Sequence, residues 1–247
     1  MEDYNYSYIS EDPNTKKFKI IPLLVLLGLQ VVEAIVTIVC GTTIPDGYEL
    51  FYSLTWFLGK FITLALVIVI YRVYFLYDLK RVAKNFKAFI SFCIVGFVVF
   101  YVFSIGSSMY SMLMDHYLEI GEAANQEGIY EYFKSSNKIS HYVLLFFTIV
   151  ILAPLLEEFE FRKLVYDAFP NCHFIIPTIV SALLFGLAHM AEFAWSELLF
   201  LPVYCLPGFC LALLYHYSGN NIYVTFFSHM ASNFLSFMVL ITSLDSL

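Results

Sequence analysis

Apolar residues in this chain come in long unbroken blocks separated by short polar stretches. They do not follow the alternation of a half-buried strand or the one-sided stripe of a soluble helix. Blocks at 20–41, 51–77, 88–109, 141–160, 173–191, 197–217 and 221–244 each approach the roughly 20 residues that a helix needs to cross a bilayer. Lipid offers no hydrogen-bond partners, so a crossing segment must satisfy its own backbone groups, as helices and closed barrels do. The pattern therefore predicts an all-α fold, a polytopic transmembrane helical bundle of about seven spans, within a range of about six to eight. We divide the chain into a polar tail (1–19), an N-terminal set of helices with an acidic loop (20–140), and a C-terminal membrane core (141–244).

Composition agrees with that pattern. The 247 residues are 60% hydrophobic and 13% charged, against roughly half and a quarter for a soluble domain. The net charge of -7 comes partly from an acidic tail and an acidic loop, which argues against a nucleic-acid partner. Five cysteines (Cys40, Cys93, Cys172, Cys205, Cys210) form an odd set without a Cys-x-x-Cys pair, and read as small buried hydrophobes. The first fifteen residues are polar and acidic, with no basic n-region and no small-residue cleavage site after the first block, so that block reads as a retained span.

Basic residues set the orientation. Lys16, Lys17 and Lys19 precede the first block, Arg72, Lys80, Arg81, Lys84 and Lys87 surround the loop after the second, and Arg162 and Lys163 follow the fourth. The loop at 42–50 has no lysine or arginine, and the stretch 111–140 has only Lys134 and Lys138. The alternation predicts a cytoplasmic N-terminus, and a short chain without targeting signals fits a bacterial cell membrane better than an organelle. Glu33 and Lys60 both fall about 12 Å below the outer surface at 1.5 Å per residue, and are expected to pair.

Carboxylates at membrane depth are expensive and persist where they act or find a partner. Glu157 and Glu158 lie together at the end of the fourth block. A turn at Pro170-Asn171-Cys172-His173 joins the next helix. Glu157 is sixteen residues before His173 and His189 sixteen after it, so an antiparallel hairpin brings acid and imidazole to one depth. Spacing of four places Glu158 beside Arg162, Phe185 beside His189, and His229 beside Asn233. Arg162 holds Glu158 ionised, while Glu157, beside a like charge, is suited to take a proton from water as a general base. Asn233 and one histidine can donate to the oxyanion of a tetrahedral intermediate. His116, His141, His173 and His216 lie near block ends and read as solvated; the many aromatics read as packing and interface anchors.

At these residues the chain resembles the CAAX protease and bacteriocin-processing (CPBP, also called Abi) family of intramembrane endopeptidases. The family pattern Glu-Glu-x-x-x-Arg, Phe-x-x-x-His, His-x-x-x-Asn/Asp appears as Glu157-Glu158-Phe159-Glu160-Phe161-Arg162, Phe185-Gly186-Leu187-Ala188-His189 and His229-Met230-Ala231-Ser232-Asn233. The likeness runs over about 150–235 and includes Tyr-x-x-Ser-Gly-Asn before the last helix. It implies a glutamate-dependent protease, without a cofactor, in a cavity open to the cytoplasm. In that implication Glu157 activates water with His189, His229 and Asn233 form the oxyanion hole, and Glu158, Arg162 and Phe185 shape the site. Lys163 stands where relatives often carry glycine, which bears on close packing at that turn.

The implied partners are the lipid bilayer and a membrane-associated peptide or lipidated protein substrate: a prenylated protein, a pheromone precursor or a bacteriocin leader. Two histidines and a glutamate also suit a zinc protease, although no His-Glu-x-x-His is present. A proton or cation transporter, or a non-catalytic immunity or scaffold protein, are the readings from other classes.

Overall fold

The computed structural model describes residues 21–29, 31–32, 49–119, 123–190 and 194–244, and their regular elements are helices. Residues 21–29 form α1. Then come α2 (Glu49–Ile70), α3 (Arg72–Lys84), α4 (Phe86–Leu118), α5 (Ala124–Lys134) and α6 (Ile139–Ala168). The last three are α7 (Ile175–Ala188), α8 (Trp195–Tyr217) and α9 (Ile222–Leu244). Five of them, α2, α4, α6, α8 and α9, are long and apolar enough to cross a membrane. The expected polytopic helical bundle is therefore the observed fold. Half of the expected first span, including 33–41, lies outside the described residues, and with it Glu33 of the expected pair with Lys60.

Several boundaries differ from expectation for physical reasons. The second block ends at Ile70 rather than 77, because Tyr71 interrupts the helix and α3 carries Arg72, Asp78, Lys80, Arg81 and Lys84. The fifth block, expected at 173–191, is helical only over the 14 residues of α7; at 1.5 Å per residue it is about 21 Å long, short of a roughly 30 Å hydrocarbon core. In the stretch read as a loop, α4 continues to Leu118 and α5 forms because Ile129, Tyr132 and Phe133 share one face. Phe133 is fully buried with Leu145, Val150 and Phe237.

His141 corrects the reading of it as solvated, for it is fully buried. Its Nε2 lies 3.1 Å from the Tyr132 carbonyl oxygen, which can only accept, so this nitrogen is the donor. Nδ1 is then free to accept from Ser53 Oγ at 2.7 Å, and Ser53 in turn lies 2.8 Å from Tyr132 Oη. The histidine ties α2, α5 and α6 together at one end of the bundle. His116 and His173 are exposed, whereas His216 is half-buried and stacks on Phe174 at 4.1 Å.

The helices are not equally enclosed. In their apolar windows 39% of α6 and 44% of α8 is buried, against 11% of α4 and 17% of α2, so α6 and α8 are inner and α2 and α4 present apolar surface outward. Within α6, Phe146–Leu152 and Glu158–Leu164 are wound as wider π-helical turns, a form often found at functional positions. In such a turn the amide serving the Ile149 carbonyl would be that of residue 154, a proline with no N–H. Asn233 Nδ2 of α9 donates to Ile149 O instead, at 3.0 Å. The same logic operates in α8, where Pro207 cannot donate to Val203 O and Ser107 Oγ of α4 does so at 3.2 Å.

At the end of the bundle that carries α3, Asp78 acts as a remote cap for α9. Its Oδ2 accepts from the Ile222 amide at 3.1 Å, Oδ1 pairs with Arg81 at 3.3 Å, and Arg81 donates to Ser218 O at 3.3 Å. Burial raises the Asp78 carboxyl above its ordinary range, against the opposing pull of the Ile222 amide and Arg81. Asp78→Ala is expected to lower stability by about 1 kcal/mol, the usual cost of losing a helix N-terminal acceptor. Asp78→Asn retains an acceptor oxygen and should lose less; unfolding temperatures in detergent compare the two.

Candidate active site

Three helices bring their polar side chains to one point inside the bundle. On α6, Glu157 and Glu158 are consecutive and face different partners. Glu157 Oε2 lies 3.9 Å from His189 Nε2 and 3.8 Å from His229 Nε2. These separations exceed a direct hydrogen bond and suit contact through one water. Glu158 Oε1 lies 3.0 Å from His229 Nδ1, and its Oε2 lies 3.0 Å from Arg162 Nε. The Glu158–Arg162 contact is ionic, without the alignment of a hydrogen bond. Both side chains are fully shielded from solvent, while Glu157 keeps 19% of its side-chain surface and His189 24%. One carboxylate is thus structural in its surroundings, and the other is reachable.

The histidine tautomers follow from their neighbours. His189 Nδ1 is 2.7 Å from the Phe185 carbonyl oxygen, so Nδ1 carries the hydrogen and the neutral ring leaves a bare Nε2 toward Glu157. That carbonyl is available because α7 ends at Ala188 and the His189 amide, which would serve Phe185 O in a continuing helix, turns to Gly186 O instead. His229 likewise gives Nδ1–H to the Glu158 carboxylate and turns Nε2 to Glu157.

Phe185 is the packing centre of the site. Its ring lies 4.2 Å from the His189 ring, 5.9 Å from that of His229 and 5.5 Å from Phe161, and the Arg162 guanidinium sits 4.8 Å over its face. Two glycines make this possible. A side chain at Gly208 of α8 would meet Phe185 at 3.1 Å, and one at Gly186 would fall on Cys205, so α7 and α8 approach at the distance of bare backbone.

The structure therefore brings together Glu157, Glu158, Arg162, Phe185, His189 and His229. Asn233 lies one turn beyond His229 on α9, with one amide hydrogen committed to Ile149 O. Lys163 fits where a small residue was anticipated by lying over the Tyr74 ring at 4.1 Å and pairing with Asp167 at 2.8 Å. Sequence reasoning missed Ser181, which accepts from Arg162 Nη1 at 3.2 Å. Its signal was the stripe Ser181, Phe185, His189 at successive intervals of four. Tyr204, which stacks on His189 at 5.6 Å, gave no signal among nineteen tyrosines. Among the described residues no three His, Cys, Asp or Glu side chains are grouped to hold a metal ion.

Residues 139–235 match the family model described as Rce1-like, type II CAAX prenyl endopeptidase. The chain is 30% identical over 168 residues to an uncharacterised protein of Mycoplasma capricolum, covering 67% of this chain and 48% of that one. It is 28% identical over 156 residues to YdiL of Bacillus subtilis, named as a candidate membrane peptidase, covering 63% and 53%. Over 97 residues it is 34% identical to the membrane-embedded CAAX protease MroQ of Staphylococcus aureus, covering 36% of each. The matches thus span about half or less of these relatives' own lengths, 48%, 53% and 36%. No solved structure matches the chain.

Arg162→Met would leave Glu158 as an uncompensated buried charge, at a cost of about 3–5 kcal/mol. A large drop in unfolding temperature and folded yield is expected. Glu157→Gln, at the reachable carboxylate, should leave both near wild type; the two variants compared in detergent test this division of roles.

Proposed function

We propose that this integral membrane protein, whose residues 139–235 form a domain of the Rce1-like CAAX protease family, is an endopeptidase that hydrolyses a peptide bond with water activated by Glu157. The observation that carries the reading is the convergence of two imidazole Nε2 atoms on the Glu157 carboxylate, at 3.9 and 3.8 Å. A water between Glu157 and His189 would donate to both as it attacks the scissile carbonyl carbon, and Glu157 takes its proton. In this reading His229, held through Nδ1 on Glu158, and the second amide hydrogen of Asn233 form the oxyanion hole. Collapse of the tetrahedral intermediate breaks the C–N bond, and Glu157 returns the proton to the leaving amine. Glu158, Arg162 and Phe185 hold the two histidines in place. In this reading the substrate is a membrane-associated peptide or lipidated protein. The N-terminus is cytoplasmic, the cavity opens to the cytoplasm of a bacterial cell, and no metal takes part.

Glu157→Gln should abolish cleavage while the protein remains folded, since a carboxamide cannot accept the proton. Peptide profiles of membranes carrying wild type and this variant should differ by an accumulated precursor; identical profiles would sink the proposal. Cleavage by the purified wild type should persist in a strong zinc chelator. Loss with chelator and recovery with added zinc would replace this mechanism by a metal-dependent one.

A further inference from the structure

Two aromatic rings lie against the His189 imidazole. One is Phe185, four residues earlier on the same helix, at 4.2 Å and 31°. The other is Tyr204 of α8, at 5.6 Å and 26°. Tyr204 is only 6% exposed, and packs with Phe200, Ala123, Met114 and Val203. Its ring makes the contact with His189, while its buried hydroxyl lies toward Asn125 and Gln126 of α5.

The backbone that carries Tyr204 is pinned on both sides. Pro202 and Pro207 bracket it within α8. The Val203 carbonyl, deprived of a helical donor by Pro207, receives Ser107 Oγ of α4 at 3.2 Å. One turn earlier the Leu199 carbonyl receives Tyr110 Oη of α4 at 2.9 Å. Ala123, immediately before α5, closes against the ring from the end of the bundle held by His141. His189 has no comparable anchor of its own, being the residue at which α7 stops. Its Nδ1 bond to Phe185 O limits ring rotation about one atom, and a second ring face fixes the plane.

We infer that Tyr204 is a positioning residue for His189: its ring holds the imidazole plane so that Nε2 faces Glu157. The function of that placement rests on the proposed Glu157 chemistry, but the placement itself does not. The ring, not the hydroxyl, does the holding.

Two readouts separate these claims. Histidine-selective 15N NMR in detergent reads the His189 tautomer irrespective of activity. Wild type and Tyr204→Phe should give one Nδ1–H tautomer for His189, and Tyr204→Leu an averaged signal. In the cleavage assay Tyr204→Phe should keep kcat within about twofold, while Tyr204→Leu loses at least about tenfold in kcat with KM nearly unchanged, as expected for a misplaced reacting group. Unfolding temperatures for the two variants should lie close together. An unchanged His189 signal and kcat in Tyr204→Leu overturns the inference. So does a loss in Tyr204→Phe as large as in Tyr204→Leu, or a loss that merely follows unfolding. If Glu157→Gln retains cleavage the proposed chemistry fails, and the NMR comparison still decides the role of Tyr204.

Discussion

The contact between Glu158 and Arg162 constrains everything around it, because a guanidinium and a carboxylate without solvent exposure have only each other and their immediate neighbours to replace water. Each takes further partners from other helices. Glu158 takes His229 from α9, and Arg162 takes Ser181 and the face of Phe185 from α7. The need to compensate two buried charges thus fixes the azimuth of α6, α7 and α9 relative to one another. The accessible carboxylate, one residue earlier on α6, then faces the two imidazoles as a geometric by-product.

Proline is the second organising device. In water, helices carrying Pro154 (α6) or Pro202 and Pro207 (α8) would simply be weakened. In lipid an unserved carbonyl is costlier, so the neighbouring helix supplies the donor. Asn233 reaching Ile149 and Ser107 reaching Val203 are two instances. Two of these breaks become cross-links, and each cross-link lies beside a residue of the site, His229 in one case and Tyr204 in the other.

Much of this was legible in the chain itself. Apolar blocks announced the crossing helices because crossing requires length and hydrophobicity, which any sequence displays. Spacings of four paired Glu158 with Arg162 and Phe185 with His189, since residues on one helical face need no tertiary knowledge. Equal counts from the Pro170 turn brought Glu157 to the level of His189, because an antiparallel hairpin converts sequence distance into depth. Contacts between elements far apart in sequence were opaque. His141 looked solvated from its place near a block end, but whether it is wet depends on Ser53 and Tyr132, 88 and 9 residues away. Helix α5 hid in a polar stretch because only three of its residues are needed to seat it. The short α7 was overestimated because apolar composition continues past its end, while the backbone stops where His189 turns back onto Phe185.

The seven consecutive buried residues Glu158–Leu164 bear on how such a molecule enters its bilayer. The first eighteen residues of α6, 139–156, carry no charge and suffice by themselves for insertion. Its last turns, with Glu158, Glu160, Arg162 and Lys163, would stand at the membrane boundary without protein partners until α7 and α9 arrive to meet Glu158 and Arg162. Entry into lipid and enclosure of the charged end are therefore separable events in the making of this protein.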